Sequence, residues 1–169
     1  VRIGFVGQMR SGKDTCAEYL VQKHGGTILK FADPMYAIHD FAVNLLGLEG
    51  KQRRLLQLIG TEWGRETLGE SFWIDQFQRT LEQTPGNVFV TDCRFPNEAE
   101  RLKALGFTLI GVTRPEDQRI AAGASSQNHA SEIHIPDIPV DGVVKNGQSL
   151  AHLYASLDAL LAEAPCEPT

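Results

Sequence analysis

The chain has 169 residues, a formal net charge of −5, and 42% hydrophobic against 22% charged residues. That length suits one domain with one core. No Lys/Arg stripe alternates with aromatics, which argues against a nucleic-acid surface, and no apolar run approaches the roughly 20 residues that cross a bilayer.

In chain order, residues 2–6 (RIGFV) predict a first strand. Cys16, Leu20 and Val21 set a helical spacing over residues 13–23, and His24-Gly25-Gly26 stops it. Residues 27–31 (TILKF) predict a second strand. Asp33-Pro34 opens a helix to about Leu46, with Asp33 as its N-cap. Residues 51–83 are mostly helical, with breaks expected around Gly60, Gly64 and Gly69. Pro85-Gly86 is a turn before a third strand at 87–91, a helix over about 97–105 and a fourth strand at 107–112. The stretch 115–139 is polar and irregular, 142–145 is a weak fifth strand, and 149–163 is an amphipathic helix. The last six residues are expected to fray. No signal peptide is visible. Cys16, Cys93 and Cys166 stand far apart, which indicates neither a zinc site nor a disulfide framework. A reducing cytoplasm is the expected location.

Strands alternating with helices imply an α/β fold: parallel strands, right-handed crossovers and helices on both faces. Ligands in such sheets bind at the carboxyl ends of strands. Gly7, Asp33, Asp92 and Arg114 each fall just past a predicted strand, so they are expected to share one cleft.

Residues 7–15, GQMRSGKDT, carry the chemistry. Gly7, four residues, Gly12 and Lys13 between a strand and a helix form a phosphate-binding loop. Its amides can point inward as an anion nest, and the following helix adds partial positive charge. Gly7, Arg10, Ser11, Gly12, Lys13, Asp14 and Thr15 are therefore the candidate donor site, with Lys13 reaching the outer phosphates of ATP. The usual pattern places Ser or Thr directly after the lysine to hold Mg²⁺. Here Asp14 occupies that place and the hydroxyl comes one residue later, at Thr15. Asp14 either points away as an ordinary first-turn acid or holds Mg²⁺.

The third strand leads into TDCRFPNEAE. Asp92, at the tip of a buried strand beside a phosphate loop, suits a magnesium-organising carboxylate, with a turn or helix cap as the alternative. Arg94 follows near the same cleft. Arg114, after the fourth strand, and Arg119, inside a polar segment (115–132) that could close as a lid, flank it. Arginine's planar fork binds phosphoryl oxygens in pairs. GTEWGRETLGESFW (60–73) offers Arg65 for an acceptor monophosphate and Trp63 or Trp73 for a base, although tryptophans there also suit the core of a helical hairpin.

Taken together, GQMRSGKDT, FADPMYAI, LIGTEWGRE with the later FW, TDCRFPNEAE and HASE resemble the deoxynucleoside monophosphate kinases of tailed bacteriophages. The matching pieces extend from Val1 to about Glu132. The resemblance implies a three-layer P-loop kinase fold with about five parallel strands, in a single domain over 1–169 whose helical region, about 33–83, binds the acceptor. It implies transfer of the γ-phosphoryl group of ATP, with Mg²⁺, to a deoxynucleoside 5′-monophosphate in a host cytoplasm. Lys13 and Thr15 then belong to the donor site, Asp33 and Arg65 near the acceptor, and Arg94 near the transferring phosphates; Lys30, Trp63 and Trp73 are further substrate-binding candidates. His129 and Glu132 match a family motif and are grouped with the substrate, without an assigned role. Cys93 departs from an expected aliphatic residue. The partners implied are the two nucleotides; oligomeric state is left open, a homodimer included. The competing readings are another small-metabolite kinase of this fold, acting on phosphomevalonate or a ribonucleotide, and a nucleotide-binding switch. No guanine-reading NKxD-type stretch supports the switch, and KNGQS (145–149) does not serve as one.

Overall fold

The structure is a computed structural model and describes residues 1–124 and 133–163. It divides into two compact units, Val1–Ile28 with Gly86–Thr169, and Leu29–Pro85.

The first unit is built on strands β1 (Arg2–Val6), β3 (Val88–Cys93), β4 (Thr108–Thr113) and β5 (Gly142–Lys145), with β2 (Thr27–Leu29) at the sheet edge in the order β2-β3-β1-β4-β5. β3, β1, β4 and β5 pair in parallel. The apolar runs of β1, β3 and β4 are buried along both faces, as a sheet covered on both sides requires. On one face Ile3, Phe5, Phe89, Ile110, Val112 and Val144 pack with α1 (Lys13–His24) and α7 (Leu150–Glu163), through Cys16, Ala17, Leu20, Leu153 and Leu157. The other face meets α5 (Pro96–Ala104), whose Leu102 is fully buried. β3 and β4 flank β1 on opposite sides, so the order reverses at β1, where α/β folds place their ligand crevice.

Three elements of this sheet and its connections differ from expectation. β2 ends at Leu29 rather than Phe31. β3 runs through Asp92 rather than stopping at Thr91, and its register against β1 slips between Gly4–Val6 and Val90–Cys93. One extra residue therefore sits in β3 over Thr91–Asp92, a bulge that re-aims those side chains. The polar stretch after β4 is not wholly irregular. It contains α6 (Glu116–Ala121) and a 3₁₀ turn at Ile135–Asp137.

The second unit is helical: α2 (Asp33–Leu45), α3 (Arg53–Gln57), a π-helix over Leu58–Leu68 and α4 (Phe72–Glu82). Gly60 and Gly64 do not break it. Both lie inside the π-helix because other side chains need their space. A Cβ on Gly60 would come within 2.6 Å of the Met35 sulfur, and one on Gly64 would fall on the Trp73 indole. Trp73 is buried and donates its indole N–H to the Gly60 carbonyl at 2.8 Å. Only Gly69, at φ 121°, ends the helix. Asp33 is not the N-cap of α2; Ala32 is. The Asp33 carboxylate turns back and accepts the Lys30 N–H at 2.8 Å, closing the turn into a helix it has already joined. Among the described residues no helix is long and apolar enough to cross a membrane.

Candidate active site

The loop between β1 and α1 is shaped by three residues. Gly7 is buried, and a Cβ there would fall on the Val112 carbonyl of β4. Arg10 has φ 64° and Gly12 has φ 109°, so the chain twice enters the left-handed region before α1 begins. Such turns direct successive N–H groups to one side, the arrangement that binds anions. Gly12 caps α1 in the left-handed conformation, without a side-chain hydrogen bond.

Lys13 is buried at 7% exposure. Its Nζ donates to the carbonyls of Gly7 and Gln8 at 2.7 and 2.8 Å, so the ammonium group is held over the loop. Asp14 is exposed, and one of its oxygens accepts the buried Thr91 hydroxyl at 2.8 Å. The β3 bulge thus ties the first turn of α1 to the strand that carries Asp92. Thr15 and Asp92 are both half-buried. Among the described residues no group of three or more His, Cys, Asp or Glu side chains is arranged to hold a metal alone. That does not conflict with Mg²⁺, which takes one or two carboxylates plus phosphate oxygens and water.

Arg114 directly follows β4, and its Nη1 donates to the Arg10 carbonyl at 3.4 Å. Arg119 lies on α6 and is 8% exposed, a buried guanidinium rather than a solvated loop charge. The Arg10 guanidinium approaches Gly123, just beyond α6, so this helix borders the loop. Among the described residues, three buried side-chain polar atoms have no hydrogen-bond partner: Ser11 Oγ, Arg114 Nε and Arg119 Nε. Buried donors without acceptors are rare because each costs about 1–3 kcal/mol. Ser11 lies in the loop itself, and Arg114 reaches the loop through the Arg10 carbonyl.

Arg94 is placed by its backbone. The buried Glu98 carboxylate accepts the N–H groups of Arg94 and Phe95 at 2.9 and 3.2 Å, which fixes the entry to α5. Cys16 and Cys93 are both buried thiols. Burial pushes Cys16 up to about 12 against the pull of Lys13, and burial followed by the Glu98 and Asp92 charges raises Cys93.

Beside the loop lies a cavity of about 510 Å³, lined by Thr113, Arg114 and Pro115 at the end of β4 and just beyond it, Lys145, Gly147 and Gln148 at the end of β5 and just beyond it, and His152 of α7. Sequence reasoning missed this wall. KNGQS does not match a guanine-reading motif, yet its residues 146–149 follow β5 as Gly7 follows β1, and a polar stretch at a strand's carboxyl end is the available signal. Thr91 and Glu98 were missed as well.

Gly7, Arg10, Ser11, Gly12, Lys13, Asp14, Thr15, Asp92, Arg94, Arg114 and Arg119 all belong to the first unit. Lys30, Asp33, Trp63, Arg65 and Trp73 belong to the second. There Arg65 lies on the π-helix, and Trp63 is 41% exposed and meets the Phe72 and Trp73 rings edge-on. His129 and Glu132 lie outside the described residues.

Shikimate kinase from Aquifex aeolicus vf5 superposes with a TM-score of 0.57 over 96% of each chain. At 16% identity this likeness establishes the fold alone. A protein described as uncharacterized, ORF77 of Ictalurid herpesvirus 1, is 34% identical over 77% of this chain and 57% of its own length. A putative deoxynucleotide monophosphate kinase of Acanthamoeba polyphaga mimivirus is 26% identical over 93% of this chain and 94% of its own. The deoxynucleoside-5′-monophosphate kinase of Escherichia phage T5 is 33% identical over 63% of this chain and 44% of its own. The chain thus spans about half the length of the herpesvirus and T5 relatives. The profile described as Deoxynucleotide monophosphate kinase matches residues 49–157, well over half of the chain, and on that ground the chain belongs to the deoxynucleotide monophosphate kinase family.

Proposed function

We propose that the protein transfers the γ-phosphoryl group of ATP to a deoxynucleoside 5′-monophosphate, giving ADP and a dNDP. The observation that carries this reading is the set of unpartnered buried atoms, Ser11 Oγ, Arg114 Nε and Arg119 Nε, around a left-handed loop at a helix N-terminus. A polyphosphate supplies the oxygens those groups lack.

The loop amides cradle the donor phosphates, and Lys13 exchanges the Gly7 and Gln8 carbonyls for phosphate oxygens. The cavity bounded by Pro115, Gln148 and His152 takes the donor base. Arg114, Arg119 and Arg94 stabilise the charge spread over the moving group. Asp14, Thr15 and Asp92 are the residues that would hold Mg²⁺, which when bound neutralises charge on the phosphate oxygens. The acceptor needs no strong base, because a phosphate monoester loses its second proton near pH 6. We assign the acceptor to the helical unit, with Lys30, Asp33, Arg65 and the exposed Trp63 as its contacts. Trp73 shapes that region from within, since its indole N–H already has the Gly60 carbonyl. The viral relatives support action in the cytoplasm of an infected cell.

The test is coupled ADP release with a panel of monophosphates, deoxy and ribo forms of each base. Turnover that requires a dNMP supports the reading. Turnover with a ribonucleotide or a non-nucleotide acceptor alone would select the other small-metabolite kinases. ATP hydrolysis indifferent to every acceptor would end the kinase reading.

A further inference from the structure

Asn146, directly after β5, is 9% exposed and has no part in the chemistry above. Its Nδ2 donates to the Ser11 carbonyl at 2.9 Å in a bond buried from solvent. A Cβ on Gly12 would fall on that same Nδ2, so the amide lies directly against the left-handed turn of the phosphate loop. Its own backbone N–H donates to the Thr113 carbonyl at 2.7 Å, anchoring it to the end of β4. The residues on either side of it, Lys145 and Gly147, line the cavity, and Gln118 of α6 donates to the Gly147 carbonyl at 3.3 Å.

We infer that Asn146 is a positioning residue that holds the Ser11–Gly12 peptide in the orientation that receives a polyphosphate, and that ties the phosphate loop to the wall of the adjoining cavity. The inference rests on the donor-site reading above. A trans peptide points its carbonyl and its N–H in opposite directions. Holding the Ser11 carbonyl on Asn146 therefore fixes the Gly12 N–H away from Asn146, as one of the donors of the nest. Glycine tolerates either sign of φ, so the Ser11–Gly12 peptide is free to turn over unless something holds it. The constraint that Gly12 lacks is supplied by a side chain 135 residues on from Ser11.

The experiment compares wild type with Asn146→Ala, using calorimetric titration of inorganic tripolyphosphate in Mg²⁺ and amide hydrogen exchange. Loss of one buried hydrogen bond that orders the cradle should weaken tripolyphosphate binding about tenfold. Faster exchange should be confined to residues 8–13, with the strand amides unchanged. A merely structural asparagine would raise exchange through the sheet, and that result overturns the inference. Equal tripolyphosphate affinity in the two folded proteins overturns it too, while leaving the donor site intact. Failure of the wild-type protein to bind tripolyphosphate overturns the donor-site reading and this inference with it. Asn146→Asp keeps the side-chain shape, removes the donor, and carries the same exchange readout if the alanine variant does not fold.

Discussion

Replacing Arg119 by methionine separates catalysis from stability. The guanidinium is 8% exposed, and its Nε has no partner. A buried donor left unsatisfied costs about 1–3 kcal/mol, and the charge adds a desolvation cost. Methionine keeps a long unbranched stem and removes both costs. Stability should therefore hold or rise by about 1–2 kcal/mol, which for a chain of this size is a Tm gain of roughly 2–8 °C. Phosphoryl transfer should fall instead. Loss of one charged donor aimed at the transition state costs about 3–4 kcal/mol, or 10²–10³ in kcat. The assays are ADP release at saturating nucleotides and thermal melting followed by circular dichroism. A Tm lowered by more than about 5 °C, with kcat unchanged, would show that the guanidinium is structural and refute the reasoning.

Two further predictions follow the same logic. Lys13→Ala should remove most transfer, about 10²–10³ or more in kcat. The folded state should survive, because losing the bonds to Gly7 and Gln8 is offset by removing a buried ammonium group; intact transfer in the folded variant would reject the donor site. Asp141→Asn should lower stability modestly, by about 0.5–1 kcal/mol, since the ion pair with Lys103 is partly exposed. Burial opposes ionisation of Asp141, but the Lys103 ammonium and the Leu109 N–H outweigh it and hold its carboxyl below the usual value. A depressed carboxyl contributes stability above its unfolded value near about pH 4 and loses it as pH falls through the folded value. The Tm gap between wild type and variant should thus be widest near neutrality and close in acid; a gap constant with pH would contradict the linkage.

Much was legible in the sequence because its physics is local. The apolar runs of β1, β3 and β4 announce a buried parallel sheet within five or six residues each. Gly7, Gly12 and Lys13 are legible as a candidate phosphate loop because their spacing between a strand and a helix is a local pattern. The arginines after β4 were visible as charges near a strand end. Other features depended on residues that only folding brings together. Gly60 and Gly64 looked like helix breakers until Met35 and Trp73 occupied the space that a Cβ would need. Asp33 looked like a cap until its carboxylate turned back to Lys30. The extra residue at Thr91–Asp92 exists only in register against β1.

The sequence by itself determined most of the elements, their alternation and the strand–loop–helix spacing of residues 7–15, since hydrophobic period and glycine spacing act over a few residues. Tertiary structure alone decided that Arg119 is buried with an unpartnered Nε, that Thr91 reaches Asp14, and that Asn146 holds Ser11. Those pairings arise from strand order, which places the ends of β1, β3, β4 and β5 at one edge of the sheet. A local pattern carries no information about which distant strand end becomes a neighbour.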